Sequence, residues 1–323
     1  METCKSPRKA LRLAYRLAQR AWPRQSQKLG RKDFTLPQLF ACLVVREMLR
    51  LSYRKAELLL RDSPPWLADI GLDKAPDHNT LWRAFGFLCT ACRLKRMLDL
   101  LAQLFRGRHL LKLREKPLAL DSTCYEQQHR SRHYERRCRK LGLAEGAKFG
   151  SKTADSANQS RSRQHRRMPK LSLASAAACH LILSARVHIG SGSDAPDFLP
   201  LLRQAQARAP VKVAVADSGY DSEPNHRVAR QELKVRSIIP PEAGRPSVKP
   251  PAGYWRRHLR RRFARKADRR HYRWRSQAET VNSMLKRNMG DELRSRRPTR
   301  RRHEMLLRSV VHNIMLAAGL DDV

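Results

Sequence analysis

Acidic residues are what this 323-residue chain has too few of: 29 Asp and Glu stand against 68 Lys and Arg, giving a formal net charge of +39 and a pI of about 11.2. Such an excess destabilises the compact state by self-repulsion unless a polyanion neutralises it, and nucleic acid is the polyanion whose phosphates match Lys and Arg. Solubility alone does not explain it, because added acids serve solubility better than added arginines. Long apolar runs are missing as well. The longest, Phe40 to Val45, is far too short to cross a bilayer, and the basic N-terminus METCKSPRKALRLAYRLAQR has no uninterrupted apolar stretch. No membrane partner is expected, and an intracellular protein is. Paired cysteines are lacking too: seven, scattered from Cys4 to Cys179, argue for reduced thiols and against a disulfide framework.

Zinc sites are equally thin. Cys89 and Cys92 form a single CxxC with no second pair at a zinc-ribbon spacing, inside a segment of helical period, and read as helix-core cysteines. Cys124, His129, His133 and Cys138 offer four ligand types in C-x4-H-x3-H-x4-C. That spacing fits no zinc motif, and the arginines between them would repel a cation.

What is present divides the chain. Residues 1–115 carry apolar residues at helical spacing and read as an all-α N-terminal domain for DNA binding or dimerisation. Ser63-Pro64-Pro65 and the stretch from Pro76 to Thr80 interrupt the helices, and Asp77 or Asn79 can cap the one that follows, so a short helix, turn and helix is expected over 54–90. From residue 116 to 323 the texture changes. Pro117 to Leu120 is an apolar run leading into Asp121, and Lys170–Ala177 and Cys179–Ile189 read as two more strands. Then come a helix from Asp194, an N-cap type residue, to Arg208, a strand at Val211–Ala216, a helix at Glu223–Leu233 with Asp221 at its start, and a strand at Val235–Ile239. That element order is α/β and ribonuclease-H-like, a mixed sheet flanked by helices.

A last helix is expected over about 271–289, and its composition is unusual. Tyr272, Arg275, Glu279 and Lys286 are offset by 3, 7 and 14 residues, with Asn282 at 10. At about 100° per residue these five share roughly a third of the helix circumference. So charged a face is a working surface and not a core face. Upstream of it, eleven Lys or Arg lie between Arg256 and Arg275, interleaved with Tyr254, Trp255, Phe263, Tyr272 and Trp274. Such a run reads as an ordered grip on a nucleic-acid backbone.

Two further acids sit where a strand gives out into a turn. Asp121 follows LAL, and Asp217 follows VKVAVA and precedes Ser-Gly-Tyr. A carboxylate there is held by a rigid scaffold yet faces the loop rim, where α/β sites are built. Asp121, Asp217 and Glu279 can then meet at one point. Their hard oxygens suit Mg²⁺ or Mn²⁺, and two such ions about 3.5–4 Å apart can clamp an in-line phosphoryl displacement. Each acid also has a plainer role, as a turn residue or, for Glu279, as a partner of Arg275 four residues earlier.

These residues carry a family resemblance. Tyr272, Arg275, Glu279 and Lys286 meet every spacing of Y-x2-R-x3-E-x6-K, the last motif of one group of DDE transposases of bacterial insertion sequences, and LALDST and VADSGYDS resemble its first two. The likeness runs over roughly residues 35–320. It implies a ribonuclease-H-like catalytic domain with two divalent ions on Asp121, Asp217 and Glu279. Water would attack at the inverted-repeat ends, and the freed 3′ hydroxyl would attack target DNA. Arg275 and Lys286 are expected to neutralise DNA phosphates, Tyr272 to meet a displaced base, and Asn282 to join them on the DNA. Two ends must be held together, so a homodimer on double-stranded DNA is expected, in the cytoplasm of a prokaryotic cell and on its nucleoid. A nuclease of the same fold that does not join strands, and an inactive DNA-binding relic, are the alternatives.

Overall fold

Six helices precede the first strand in the computed structural model, which describes residues 2–25, 33–128, 168–190, 192–241, 253–266 and 268–320. They are α1 (Pro7–Ala21), α2 (Leu36–Met48), α3 (Tyr53–Arg61), α4 (Pro64–Ala68), α5 (His78–Leu88) and α6 (Ala91–Gly107). Their starts are set by short polar side chains. Ser6 accepts from Lys9 N, Ser52 from Lys55 N, and Asp77 from Asn79 N and Thr80 N. Thr35 and Gln38 close a reciprocal capping box at the head of α2. Helix α2 is apolar on nearly every side and is buried along its whole length, as a helix without a polar face must be.

Among the described residues seven strands follow, five of them in one mixed sheet. They are β1 (Leu118–Cys124), β2 (Glu126–Gln127), β3 (Lys170–Ala176), β4 (Ile182–His188), β5 (Val213–Val215), β6 (Arg236–Ile238) and β7 (Glu292–Leu293). The main sheet runs β4-β3-β1-β5-β6, with β1, β3 and β4 antiparallel and β5 and β6 parallel to β1. β2 and β7 pair separately. Leu118–Leu120 are buried, and from Asp121 onward β1 becomes half-exposed, so the strand carries that aspartate from core to rim.

Helix α7 (Ala195–Gln206) returns from β4 to β5, and α8 (Glu223–Arg227) continues as a π-helical turn to Glu232 before β6. The helix at 223–233 therefore changes form midway. Strand β4, expected from Cys179, starts at Ile182, because residues 177–179 turn and His180 adopts φ +61°. Ser222, not Asp221, caps α8, and Asp221 is buried.

After β6 the chain forms α9 (Tyr254–Ala264), α10 (Arg269–Tyr272), a 3-10 turn (Arg273–Arg275), α11 (Ser276–Met289) and α12 (Pro298–Ala317). The expected single helix over 271–289 is thus two helices joined by a tighter turn. Ser276 Oγ donates back to the Arg273 carbonyl at 3.0 Å, which satisfies that carbonyl outside the α ladder.

The main hydrophobic core runs from Ala10 to Ala318 through helices and sheet alike, and a smaller cluster of Ala119, Ala177, Val215, Ile238 and Ala278 lies apart from it. Helix α12 packs on α6, β4 and α2. Within that core Glu47 of α2 is fully buried and accepts from Arg308 of α12 at 3.0 Å and from Arg294 at 2.5 Å. Burial alone would raise the Glu47 pKa, but Arg294, Arg308 and Arg46 outweigh it and hold the carboxyl below its ordinary range.

Candidate active site

The end of β5 lies beside the first half of β1, since Ala119 is in register with Val215, and two residues beyond that pair each chain carries an aspartate, Asp121 and Asp217. Asp121 is the fourth residue of β1, and Asp217 is the N-cap of the 3-10 turn Ser218–Tyr220, accepting Gly219 N at 3.0 Å. Helix α11 packs on β1. Its Asn282 donates from Nδ2 to Asp121 Oδ2 at 2.9 Å.

Neighbouring acids raise both aspartates. Burial, then the neighbouring Asp217, push the Asp121 carboxyl up to about 6, against opposing hydrogen bonds from the Ser122 backbone and Asn282. Asp217 is raised by burial and by Asp194, with Glu279 adding to it and the Gly219 N–H and Arg275 opposing. Glu279 stands in the first turn of α11 with its side chain 53% exposed and takes Arg275 Nη2 at 2.5 Å. The plainer pairing at i, i−4 is therefore present beside the electrostatic coupling to Asp217.

Of the other motif residues, Arg275 lies 6.0 Å from the Tyr272 ring centroid, and Tyr272 packs edge-on against Phe263 at 5.5 Å. Lys286 faces the buried Tyr125 ring at 5.8 Å. Asn282, expected among DNA contacts, is buried and occupied by Asp121.

Three carboxylates with hard oxygens, two of them raised by burial and by neighbouring acids, are the donor set a divalent cation relieves. Buried polar atoms without partners accompany them, Asn282 Oδ1 and the Tyr220 hydroxyl. In this structure each carboxylate accepts from a donor of its own: Asp121 from Asn282, Asp217 from the Gly219 N–H and Glu279 from Arg275. Among the described residues, the three candidate ligands that do lie within 4.8 Å of one another are Glu57, Asp77 and His78. Their oxygens are already engaged: Asp77 caps α5, and Glu57 accepts His78 N at 3.0 Å and Arg61 Nη2 at 2.7 Å.

Comparison with protein families decides what this rim belongs to. Residues 113–314 match the model described as Transposase DDE domain, and residues 12–86 match Transposase domain (DUF772). This chain belongs to the DDE transposases. Members of the family are divalent-metal-dependent enzymes of DNA phosphoryl transfer, with cleavage and strand transfer as their general activity, on a ribonuclease-H-like fold. No curated protein and no solved structure matches the chain significantly. Among the described residues of the transposase, no helix is long and apolar enough to cross a membrane.

Sequence reasoning passed over three features of the rim. Asp194, read as an N-cap, makes no cap bond and instead accepts Lys170 Nζ at 3.0 Å beside Asp217. Asp221 accepts His226 Nε2 at 3.0 Å and Arg256 Nε at 2.9 Å, which ties α9 to the Asp217 turn. Glu223 then caps α9, taking Trp255 N and Arg256 N at 3.0 Å each. The signal for the last two was the spacing of acids in DSGYDSE, readable only once α9 was known to fold back onto it. Asp221, His226 and Ser237 also imitate a hydrolase triad. Ser237 is fully buried and its hydroxyl accepts from Arg230 Nε at 3.1 Å, so it is no nucleophile.

The CxxC cysteines part company, Cys89 buried and Cys92 exposed. His129, His133 and Cys138 lie outside the described residues.

Proposed function

We propose that Asp121, Asp217 and Glu279 hold two divalent ions, Mg²⁺ or Mn²⁺, and that this transposase uses them to cut the inverted-repeat ends of its element and join them to target DNA. The observation that carries the reading is the coupling of Asp121 with Asp217 and of Asp217 with Glu279 at one rim, which a polyvalent cation stabilises. The ions would supply polarisation of the scissile phosphate and activation of the attacking oxygen. In cleavage, a water oxygen bonds to phosphorus, the P–O3′ bond breaks, and the 3′ oxygen leaves as a hydroxyl. In joining, that 3′ hydroxyl attacks a target phosphate, a target P–O3′ bond breaks, and the proton of the attacking hydroxyl is balanced by one taken up, by way of solvent, on the departing 3′ oxygen.

The chain's own residues orient this chemistry. Asn282 holds Asp121 at 2.9 Å and so sets α11 over β1, a positioning role in place of a DNA contact. Arg275 and Lys286 supply cations for the DNA phosphates beside the acids, and Tyr272 offers a ring to a displaced base. Helix α9 supports the grip on the duplex. Arg257, Arg260 and Arg261 are exposed on it, Arg265 is exposed at its C-cap, and Tyr254 is 65% exposed.

The helical region before residue 116 serves DNA binding or pairing of two copies, so that a homodimer holds both ends. Incubating the protein with labelled transposon-end oligonucleotides and a plasmid in Mg²⁺ tests the reading. Joined product is the expected result. Cleavage without joining assigns the protein to nucleases of this fold, and binding without cleavage marks a relic.

A further inference from the structure

A fourth carboxylate lies at the rim. The segment between β4 and α7 is drawn in by Lys170, whose buried Nζ donates to Gly192 O at 2.8 Å, to Ser193 O at 3.1 Å and to Asp194 Oδ1 at 3.0 Å. The other carboxylate oxygen of Asp194 faces the Asp217 turn. Asp194 Oδ2 and Asp217 Oδ1 each lie 3.2 Å from where a Cβ at residue 219 would stand. Asn225 fixes this arrangement, donating to Ala195 O at 2.8 Å and to Tyr220 O at 3.0 Å, so the start of α7 and the Asp217 turn are held together.

Two carboxylates brought this close repel, and Lys170 engages only one oxygen of the four. A second, independent observation points to what belongs there. Tyr220 is fully buried, and its hydroxyl has no hydrogen-bond partner. A buried hydroxyl left unmade costs about 1–3 kcal/mol, so a partner is expected. After burial, the groups that most raise its pKa are Asp194, Asp121 and Asp217, the carboxylates of this rim.

We propose that Asp194 and the Tyr220 hydroxyl are part of the divalent-cation site of Asp121 and Asp217, with Asp194 as its fourth carboxylate and Tyr220 as the hydrogen-bond partner of a water on the cation. Lys170 then has a defined job. It neutralises one oxygen of Asp194 and leaves the other for the site, so that the cluster attracts cations without collapsing into a second ion pair. The inference rests on the assignment of Asp217 to the metal.

Mn²⁺ titration of the full chain by calorimetry, without DNA, tests it. Asp194→Asn keeps the shape of the side chain and an acceptor for Lys170, and Tyr220→Phe keeps the buried ring. Each is expected to weaken Mn²⁺ binding about tenfold or more, the scale of metal-supporting groups, with the metal-free thermal midpoint held close to that of wild type. Asp217→Asn is the reference. If it binds Mn²⁺ as wild type does, the metal assignment itself fails. If Asp217→Asn weakens binding while Asp194→Asn and Tyr220→Phe do not, only the fourth carboxylate is overturned. Should Asp194→Asn not fold, Tyr220→Phe alone decides.

Discussion

Asn282 of α11 donates to Asp121 of β1 at 2.9 Å across 161 residues of chain, and this one hydrogen bond registers the helix that carries Glu279 on the strand that carries the first aspartate. Removing the amide with Asn282→Leu leaves Asp121 without its side-chain donor while keeping an apolar contact surface. Activity should fall about 10- to 100-fold with DNA affinity little changed, read as kcat against Kd. A loss of DNA affinity with kcat intact would restore Asn282 to the DNA contacts.

The Asp121 pKa sets a pH dependence with a definite sign. Its folded value is about 6 against an ordinary 3.8, so protonation favours the folded state. This group stabilises metal-free protein fully below its unfolded value, and the contribution is lost as pH rises through about 6. Metal acts in the opposite direction, since the cation binds the deprotonated acid. The shift in thermal midpoint on adding Mn²⁺ should therefore grow from about pH 5 to about pH 7.5. In Asp121→Asn that growth should be largely gone.

Gly219 carries no unusual backbone angle; its importance is space. An alanine methyl there would press on Asp194 and Asp217 at 3.2 Å, and one of them would have to move by a few tenths of an ångström. Gly219→Ala is predicted to lower cleavage at least tenfold while moving the thermal midpoint by no more than about 1 kcal/mol equivalent. Cleavage rates and a melting curve check this together.

Glu223 is the N-terminal cap of the arginine helix α9, supplied from the turn beyond Asp217. Gly253 leaves room for it, since a Cβ there would fall 1.9 Å from Glu223 Oε2. Glu223→Ala should cost about 1 kcal/mol and weaken DNA binding by loosening α9. Arg260→Ala and Arg265→Ala, at exposed positions with no acidic partner among the described residues, should each lower the salt slope of DNA binding by about one.

Glu47 tests how far the N-terminal helices belong to the catalytic fold. It is buried against Arg308 and Arg294, so Glu47→Gln leaves the two guanidiniums to share Glu304 as their one remaining carboxylate and should cost about 3 kcal/mol by denaturant unfolding. A change below about 1 kcal/mol would mean that the buried network does not tie α2 to α12.

Much of the candidate rim was legible because its acids interrupt a pattern. Asp121 breaks the apolar run of β1 and Asp217 ends that of β5, so both stood out as acids at strand ends. The α10–α11 break did not show, because Arg273 to Ser276 fit a helix by composition and only the back-bond from Ser276 to Arg273 reveals the tighter turn. Asp194 was hidden for a similar reason. An aspartate before Ala-Pro reads as a cap, and what diverts it is Lys170, a buried cation 24 residues earlier in sequence. Long-range ion pairs of this kind leave no local periodicity to read.

The account stands on Asp217, and Asp217→Asn tests it most directly. Cleavage and joining of a transposon-end oligonucleotide in Mg²⁺ or Mn²⁺ should be measured beside the Kd for the same DNA. The account predicts that both reactions fall more than about a thousandfold while Kd stays within a factor of about three of wild type. A variant that still cuts and joins at a comparable rate would contradict it.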